Sequence, residues 1–545
     1  MGALGDHSVS VAESGRARAR SEPVLFGVIV ALAAALRLFA LGRTPIDPFY
    51  AGAVRSMGTS WHAFLVGAYD PSARLAIDKA PADLWLQVAS TKLLGFNAIA
   101  MLLPAALGGT VAVVALYDLL RTLGGRWVAL AGALALAVLP ISVLTARSDT
   151  MDSVMAALIV AAFAVVARGL RFGRTSRLVA AGALLGLGFE AKLFEALLAA
   201  LPLAALWWWG APGTRRRRAH DLLLAGGAAA AVGVAWLVAI TVMVPAGQRP
   251  WAFGSTNGSA WNSTFIYDGW DRLSGQTPVD GGASVGGRVP APGPLRLLAP
   301  EVHLGARIGF GLVVAWLVVA FAAGTQGWRR LDPTGRAGAG ALVLWLALGT
   351  VAFSAQAGLR PRYLEAFDPA VAACAGAGLV LGGAAVATRL RSVAPSRLRA
   401  AAAVVALSLL GFPVATSVGV VSAHAQDSGT PGRVAPARMA ALTSYLKAHQ
   451  DGARYEAAFI PVAEAGGVIA HDGRPVLMLD ALGHPLVSLG ALRASVTAGD
   501  VRTAVVGEAR TPIAAWIRAH GVDVSRAAGQ RTAGTVYALS ASGAR

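Results

Sequence analysis

Apolar runs separated by short polar turns dominate the first three quarters of the chain. Runs near 23–42, 97–120, 127–146, 151–167, 178–190, 193–210, 222–245, 304–324, 338–357, 363–388 and 401–422 are long enough to approach ~30 Å of hydrocarbon at about 1.5 Å per residue. They predict about 11 membrane-spanning helices. Glu190 and Lys192 divide one long run into two short helices. The first run exceeds a signal-peptide core, so it reads as a retained helix behind a cytoplasmic tail, 1–22.

Beyond residue 422 the pattern changes. Ser422 to Pro436 is rich in Ser, Gly and Pro and reads as a linker, bounded at 423–436. A helical stretch from Pro436 to His449 precedes short strand-like runs, EAAFIPVA, RPVLMLD and TAVVGE, then a helical IAAWIRAHG and a last strand-like TVYALS. This alternation predicts a small α/β domain over 437–545, attached to a membrane domain over 23–422. Pro278 to Pro294, Gly/Pro-rich, is expected to be a mobile part of a loop.

Composition agrees with a bilayer as solvent: 56% of residues are hydrophobic and 14% charged. The net charge of +18 comes from Arg clusters between the runs, which argues for a topology signal and against a nucleic-acid groove. With the N-terminus in the cytoplasm, Arg121 and Arg126, Arg168 to Arg177, Arg215 to Arg218, Arg329 to Arg336 and Arg389 to Arg399 all fall on the inside. Two long loops, about 43–96 and 246–303, and the C-terminal domain then face outward across the cell membrane. Trp207 to Trp209 reads as an aromatic belt at the cytoplasmic interface. Cys374 is the sole cysteine, which excludes an internal disulfide and CxxC metal or redox sites.

Ionisable residues at the outer helix ends are the candidate chemistry, because charge near hydrocarbon is costly unless it is used. They form five clusters: Asp47 and Tyr50; Asp78 and Lys79; Arg147, Asp149 and Asp152; Glu190 and Lys192; and Arg360, Arg362 and Tyr363. Any one of these charges taken singly is better explained as an interfacial anchor or a loop residue. Together they suit a lipid-borne phosphate: Arg or Lys would hold the leaving phosphate, and a carboxylate would take a proton or hold a divalent metal ion.

Several of these stretches resemble the protein O-mannosyltransferase and lipid A aminoarabinose transferase superfamily of GT-C glycosyltransferases (glycosyltransferase family 39-like), especially its actinobacterial branch. Asp47-Pro-Phe-Tyr-Ala with Arg55-Ser-Met resembles the acidic motif of the first external loop, and Asp78-Lys79-Ala80-Pro81 with Leu84-Trp85-Leu86 is similar to the D/E-K-P-P segment. Gly186-Leu-Gly-Phe-Glu-Ala-Lys192 resembles a glycine-rich helix ending in lysine, and Phe253 to Ser259 with Tyr267 to Gly275 resembles the second long loop. The tail from Tyr445 resembles the branch's accessory domain. Ala80 stands in place of the first proline, and Asp47 stands alone where an Asp-Glu pair is common.

The resemblance implies an α-helical polytopic membrane protein of GT-C type with a small extracytoplasmic C-terminal α/β domain. It implies an inverting enzyme with a polyprenyl-phosphate sugar donor and an extracytoplasmic glycan, lipid or protein acceptor. Asp47 is then the catalytic carboxylate or a metal or phosphate partner, and Asp78 the metal ligand. Tyr50, Lys79, Arg147, Asp149, Asp152, Glu190, Lys192, Arg360, Arg362 and Tyr363 bind substrate. Two other classes compete: a lipid or sugar transporter or flippase, and a non-catalytic envelope assembly or sensor protein. The first would show an internal repeat and charge at the midplane, and neither is evident.

Overall fold

The computed structural model describes residues 5–275, 290–300, 303–389, 395–427 and 436–543. Most of Pro278 to Pro294 and of the expected linker lies outside them. Among the described residues, six helices are long and apolar enough to cross a membrane: 21–43, 98–124, 152–170, 305–324, 333–355 and 368–389. A seventh candidate is a pair, Arg215–Gly233 and Ala235–Met243, bent by 46° at its break. Shorter apolar helices cover Arg126–Val138, Phe194–Gly210 and Leu409–Ser422, and Thr175–Lys192 packs against Arg215–Gly233 and Asp152–Leu170. The chain is thus a polytopic helical membrane protein.

Several of the expected spans are interrupted, each for a local reason. Pro140 opens a new helix and cannot continue the one ending at Val138, so the run at 127–146 breaks there. Leu193 takes φ 58° and ψ −131°, a conformation costing of order 1–3 kcal/mol in a non-glycine residue, and turns the chain between Thr175–Lys192 and Phe194–Leu197.

Small residues let the helices approach. A Cβ on Gly182 would overlap the Ala225 backbone, which holds Thr175–Lys192 against Arg215–Gly233. Gly376 meets Ala131 and Gly132 in the same way. Phe163 and Trp345 stack at 4.8 Å in the bundle core. Trp207 is fully buried there and only Trp209 is well exposed, at 52%. The expected three-residue belt is therefore corrected: successive helical residues point about 100° apart and cannot share one lipid-facing side.

Arginine-bearing turns gather at one end of the bundle. Arg121 pairs with Glu22 at 2.5 Å, Arg168 with Asp118 at 2.6 Å, and Arg171 with Asp332 at 2.5 Å. The other end carries the loops and the C-terminal domain. Leu75–Ala76 pairs in parallel with Trp251–Ala252, joining the two long loops. Residues 436–543 hold a five-stranded sheet in the order Leu477–Met478, Ala458–Phe459, Thr503–Val505, Val536–Ala538, Val522–Asp523, its first three strands parallel.

This domain docks through glycine. The helices Pro48–Met57 and Val462–Asp472 cross where Gly52 meets Gly466; a Cβ on Gly52 would lie 2.7 Å from the Gly466 Cα. Tyr69 Oη donates to the Val462 carbonyl at 2.5 Å. Apolar side chains of both partners, including Phe49, Val54, Phe459 and Val468, form one buried cluster across the junction.

Candidate active site

Local sequence builds the cleft walls. Asp47 caps Pro48–Met57, its Oδ1 accepting from the Phe49 N–H at 2.9 Å, with Pro48 at the first helical position. That helix presents Phe49 and Tyr50. A continuous helix over 260–274, α-helical at its ends and π-wound from Ser263 to Asp271, supplies Tyr267, Asp268 and Arg272. Ser263 Oγ lies 2.7 Å from the carbonyls of both Asp78 and Phe253, and its one proton pins this helix to the first loop. A 3-10 turn, Pro361–Ala366, brings Arg362 and Tyr363, and the start of Val462–Asp472 adds Val462 and Ala463.

These elements enclose about 740 Å³ of empty space including the open mouth. Five cations face it: Lys79, Lys192, Arg272, Arg360 and Arg362. Three acids accompany them: Asp78, Glu195 and Asp268. Arg272 is the hub. Its guanidinium donates to Tyr363 Oη at 2.7 Å, reaches Asp78 Oδ2 at 3.4 Å, and pairs with Asp268 four residues earlier. Lys79 pairs with the other oxygen of Asp78. Lys192 pairs with Asp152 at 3.1 Å and lies over the Tyr363 ring at 5.4 Å. Arg362 reaches Asp427 at 3.6 Å.

The two central carboxyls are pulled apart in acidity. Burial favours the neutral acid in both, but at Asp78 the charges of Lys79 and Arg272 prevail and hold it below the usual carboxylate range. At Asp268 burial prevails over Arg272 and pushes the group up to about 7. Burial likewise lifts the Tyr50 hydroxyl to about 12.

The structure brings together Tyr50, Asp78, Lys79, Lys192, Arg360, Arg362 and Tyr363. Asp152 stands directly behind Lys192. Four expected residues lie away from the lining. Asp47 caps its helix, and its N–H donates to Asp149 Oδ2 at 2.5 Å, so these two form a buried joint behind Tyr50. Arg147 clamps the end of the first helix, donating to the carbonyls of Leu36, Arg37 and Phe39 and to Thr44 Oγ1. Glu190 accepts from the Trp236 N–H at 3.0 Å, at the break in the bent pair.

Asp78, the expected metal ligand, has both carboxylate oxygens engaged by neighbouring cations. Among the described residues no three His, Cys, Asp or Glu side chains converge as ligands. Arg272, Asp268 and Glu195 are lining residues that the clusters at helix ends do not include. The i,i+4 spacing of Asp268 and Arg272 within Tyr267 to Gly275 is the signal that marks the first two.

An apolar groove of about 1110 Å³ adjoins the cleft, lined by Gly182, Gly186, Phe189, Phe194, Ala229 and Phe265 among others. The turn at Leu193 divides the two spaces: Lys192, Leu193 and Glu195 face the cleft, Phe194 and Leu197 the groove.

Residues 78–246 match the family described as dolichyl-phosphate-mannose-protein mannosyltransferase. Two Bacillus subtilis (strain 168) relatives, named Putative mannosyltransferase YycA and Putative mannosyltransferase YkcB, are 27% and 26% identical over 42% and 43% of this chain. The matched region spans only about a third of those relatives, 34% and 33%. The structure of ArnT from Cupriavidus metallidurans bound to undecaprenyl phosphate aligns at a TM-score of 0.59 and 18% identity, covering 95% of this chain and 98% of that one. The archaeal oligosaccharyltransferase AglB from Archaeoglobus fulgidus, in complex with an inhibitory peptide and a dolichol-phosphate, aligns at 0.57 and 12%, covering 90% and 70%. The chain thus shares the polytopic helical fold of these two solved structures, and its segment 78–246 is similar to the mannosyltransferase family named above.

Proposed function

We propose that the protein is a glycosyltransferase that moves a hexosyl or pentosyl group from a polyprenyl-phosphate donor to a hydroxyl-bearing acceptor in the cell envelope. The observation that carries this reading is the meeting of a cation-lined polar cleft with an apolar groove at Leu193 and Phe194. An amphiphile with an anionic head and a long apolar tail has that shape. The undecaprenyl phosphate bound to ArnT and the dolichol-phosphate in the AglB complex support the same donor class.

The acceptor oxygen attacks the anomeric carbon as the bond from that carbon to the phosphate oxygen breaks, inverting the centre. Charge grows on the departing phosphate, where Arg272, Lys79, Arg360 and Arg362 stand ready to stabilise it. Asp268 takes the acceptor's proton, since a base poised near neutrality matches that task. Asp47 and Asp149 are assigned to holding the Tyr50 wall, and Lys192 with Asp152 to the inner end of the cleft. Arg-rich turns at the far end of the bundle support a cytoplasmic placement for that end, and so an extracytoplasmic cleft, C-terminal domain and acceptor.

The test is transfer of radiolabelled sugar from polyprenyl-phosphate donors to envelope acceptors by the purified protein in nanodiscs. Transfer is expected from at least one donor and is lost in Lys79→Met and Asp268→Asn. Full transfer by both variants would remove the assigned site.

A further inference from the structure

The 260–274 helix has a second side. Opposite Tyr267, Asp268 and Arg272 it exposes Trp261 (37%), Phe265 (38%), Ile266 (44%), Trp270 (65%) and Leu273 (61%). Trp261 stacks on Phe265 at 5.9 Å, and Phe265 meets Phe194 at 5.9 Å, at the lip of the apolar groove. Trp261 Nε1 donates to Thr241 Oγ1 at 3.0 Å, on the Ala235–Met243 segment whose Val242 and Met243 are also exposed, at 78% and 67%. The exposed apolar side therefore continues the lipid-facing surface of a membrane span. A helix apolar outward, charged inward and continuous with a span fits the interfacial zone of a bilayer.

We propose that this helix is an interfacial membrane anchor, and that the bilayer's hold on Trp270 and Leu273 positions Arg272 and Asp268 in the cleft. Arg272 and Leu273 are adjacent on one rigid helix, so a shift of the lipid-facing side moves the guanidinium with it. Ser263, hydrogen-bonded at the base of the cleft, fixes one end; the lipid fixes the other. Arg272 is thus set for donors presented from the membrane. That positioning role rests on the transferase reading above, whereas the membrane contact does not.

The test uses the full chain with Cys374→Ser in phospholipid nanodiscs and a nitroxide on single cysteines. Trp270→Cys and Leu273→Cys are compared with Val242→Cys on the span and Ala494→Cys on the C-terminal domain, in collision with oxygen and with a nickel chelate. Positions 270 and 273 are expected to match 242, favouring oxygen over nickel. A match to 494 would overturn the bilayer assignment and leave the face to a second protein or copy.

A second measurement reads the coupling. Binding of polyprenyl phosphate is expected to weaken about tenfold in Trp270→Ser with Leu273→Ser, since contact with lipid is what holds the helix. It is expected to recover in Trp270→Phe with Leu273→Met. Unchanged binding in the serine pair, or no recovery in the conservative pair, would overturn the positioning role. If the unaltered protein binds no polyprenyl phosphate, the donor reading fails while the depth measurement still decides the anchor.

Discussion

Replacing Arg272 by methionine removes the shared cation of Asp78, Asp268 and Tyr363 while keeping most of the side-chain length. Its side chain is only 18% exposed, and those of its two acid partners 8% and 3%, so the loss is felt in a nearly dry site. Removing one member of a buried ion pair costs about 3–5 kcal/mol when the other stays charged. Asp268 can evade that cost by taking a proton, being already pushed up to about 7, whereas Asp78 keeps Lys79. The expected loss of stability is therefore at the low end, about 3 kcal/mol. It should shrink in the double variant Arg272→Met with Asp268→Asn, which leaves no orphaned charge. Transfer behaves otherwise. Loss of a donor aimed at the growing phosphate charge costs about 10²–10³ in kcat, and the double variant recovers none of it. Thermal unfolding in nanodiscs reads the first effect and single-turnover transfer the second. Transfer by Arg272→Met within about threefold of the unaltered protein, or recovery of both stability and transfer in the double variant, would refute the assignment of Arg272 to the phosphate.

Four further outcomes follow from the structure. The pH profile of kcat/KM is expected to fall on the acid side near pH 7, because Asp268 must be ionised to accept a proton; an acid limb at or below pH 5 would exclude it. The same raised pKa means the folded state favours protonated Asp268, so its contribution to stability is present at low pH and lost as pH rises through about 7; pH-dependent unfolding of Asp268→Asn should lack that loss. Arg147→Met is expected to lower stability by about 1–3 kcal/mol through its orphaned carbonyls, with KM for the donor unchanged; a raised KM in a stable variant would return Arg147 to the binding set. Gly466→Val places side-chain atoms against the Pro48 backbone and should cost about 1–3 kcal/mol and speed proteolytic release of the C-terminal domain; wild-type resistance would mean the domains do not pack there in solution.

Hydropathy made the polytopic helical architecture legible, because the bilayer imposes a length rule on contiguous apolar residues. Asp78 and Lys79 were legible as a pair, being adjacent in sequence. Arg147 and Glu190 were not: a buried charge among apolar neighbours has the same sequence signature whether it meets a ligand or backbone groups, and here it meets the carbonyls of the first helix and the Trp236 N–H. Arg272 could be found only by its spacing from Asp268, since 194 positions of sequence separate it from Asp78. The break at Pro140 shows a further limit, since a hydropathy window averages across a proline that opens a new helix. The turn at Leu193, which separates the cleft from the groove, falls where Glu190 and Lys192 divide the apolar run.

Charge conservation in the cleft ties these pieces to the proposed reaction. The lining cations exceed the lining acids by two (five less three), but Asp152 and Asp427 behind Lys192 and Arg362 bring the resting set to balance. A phosphodiester donor arrives with about one negative charge and leaves as a monoester with close to two at neutral pH. The added charge needs compensation inside a site with little water. Neutralisation of Asp268 by the acceptor's proton supplies it, because one negative charge disappears from the helix as one appears on the phosphate. Arg272, bonded to Asp268 before the reaction, is then free to turn its full charge to the leaving group. Proton transfer and bond cleavage are coupled through this one guanidinium, and a lysine at 272, with a single ammonium and no planar fork, would hold either partner but not pass between them.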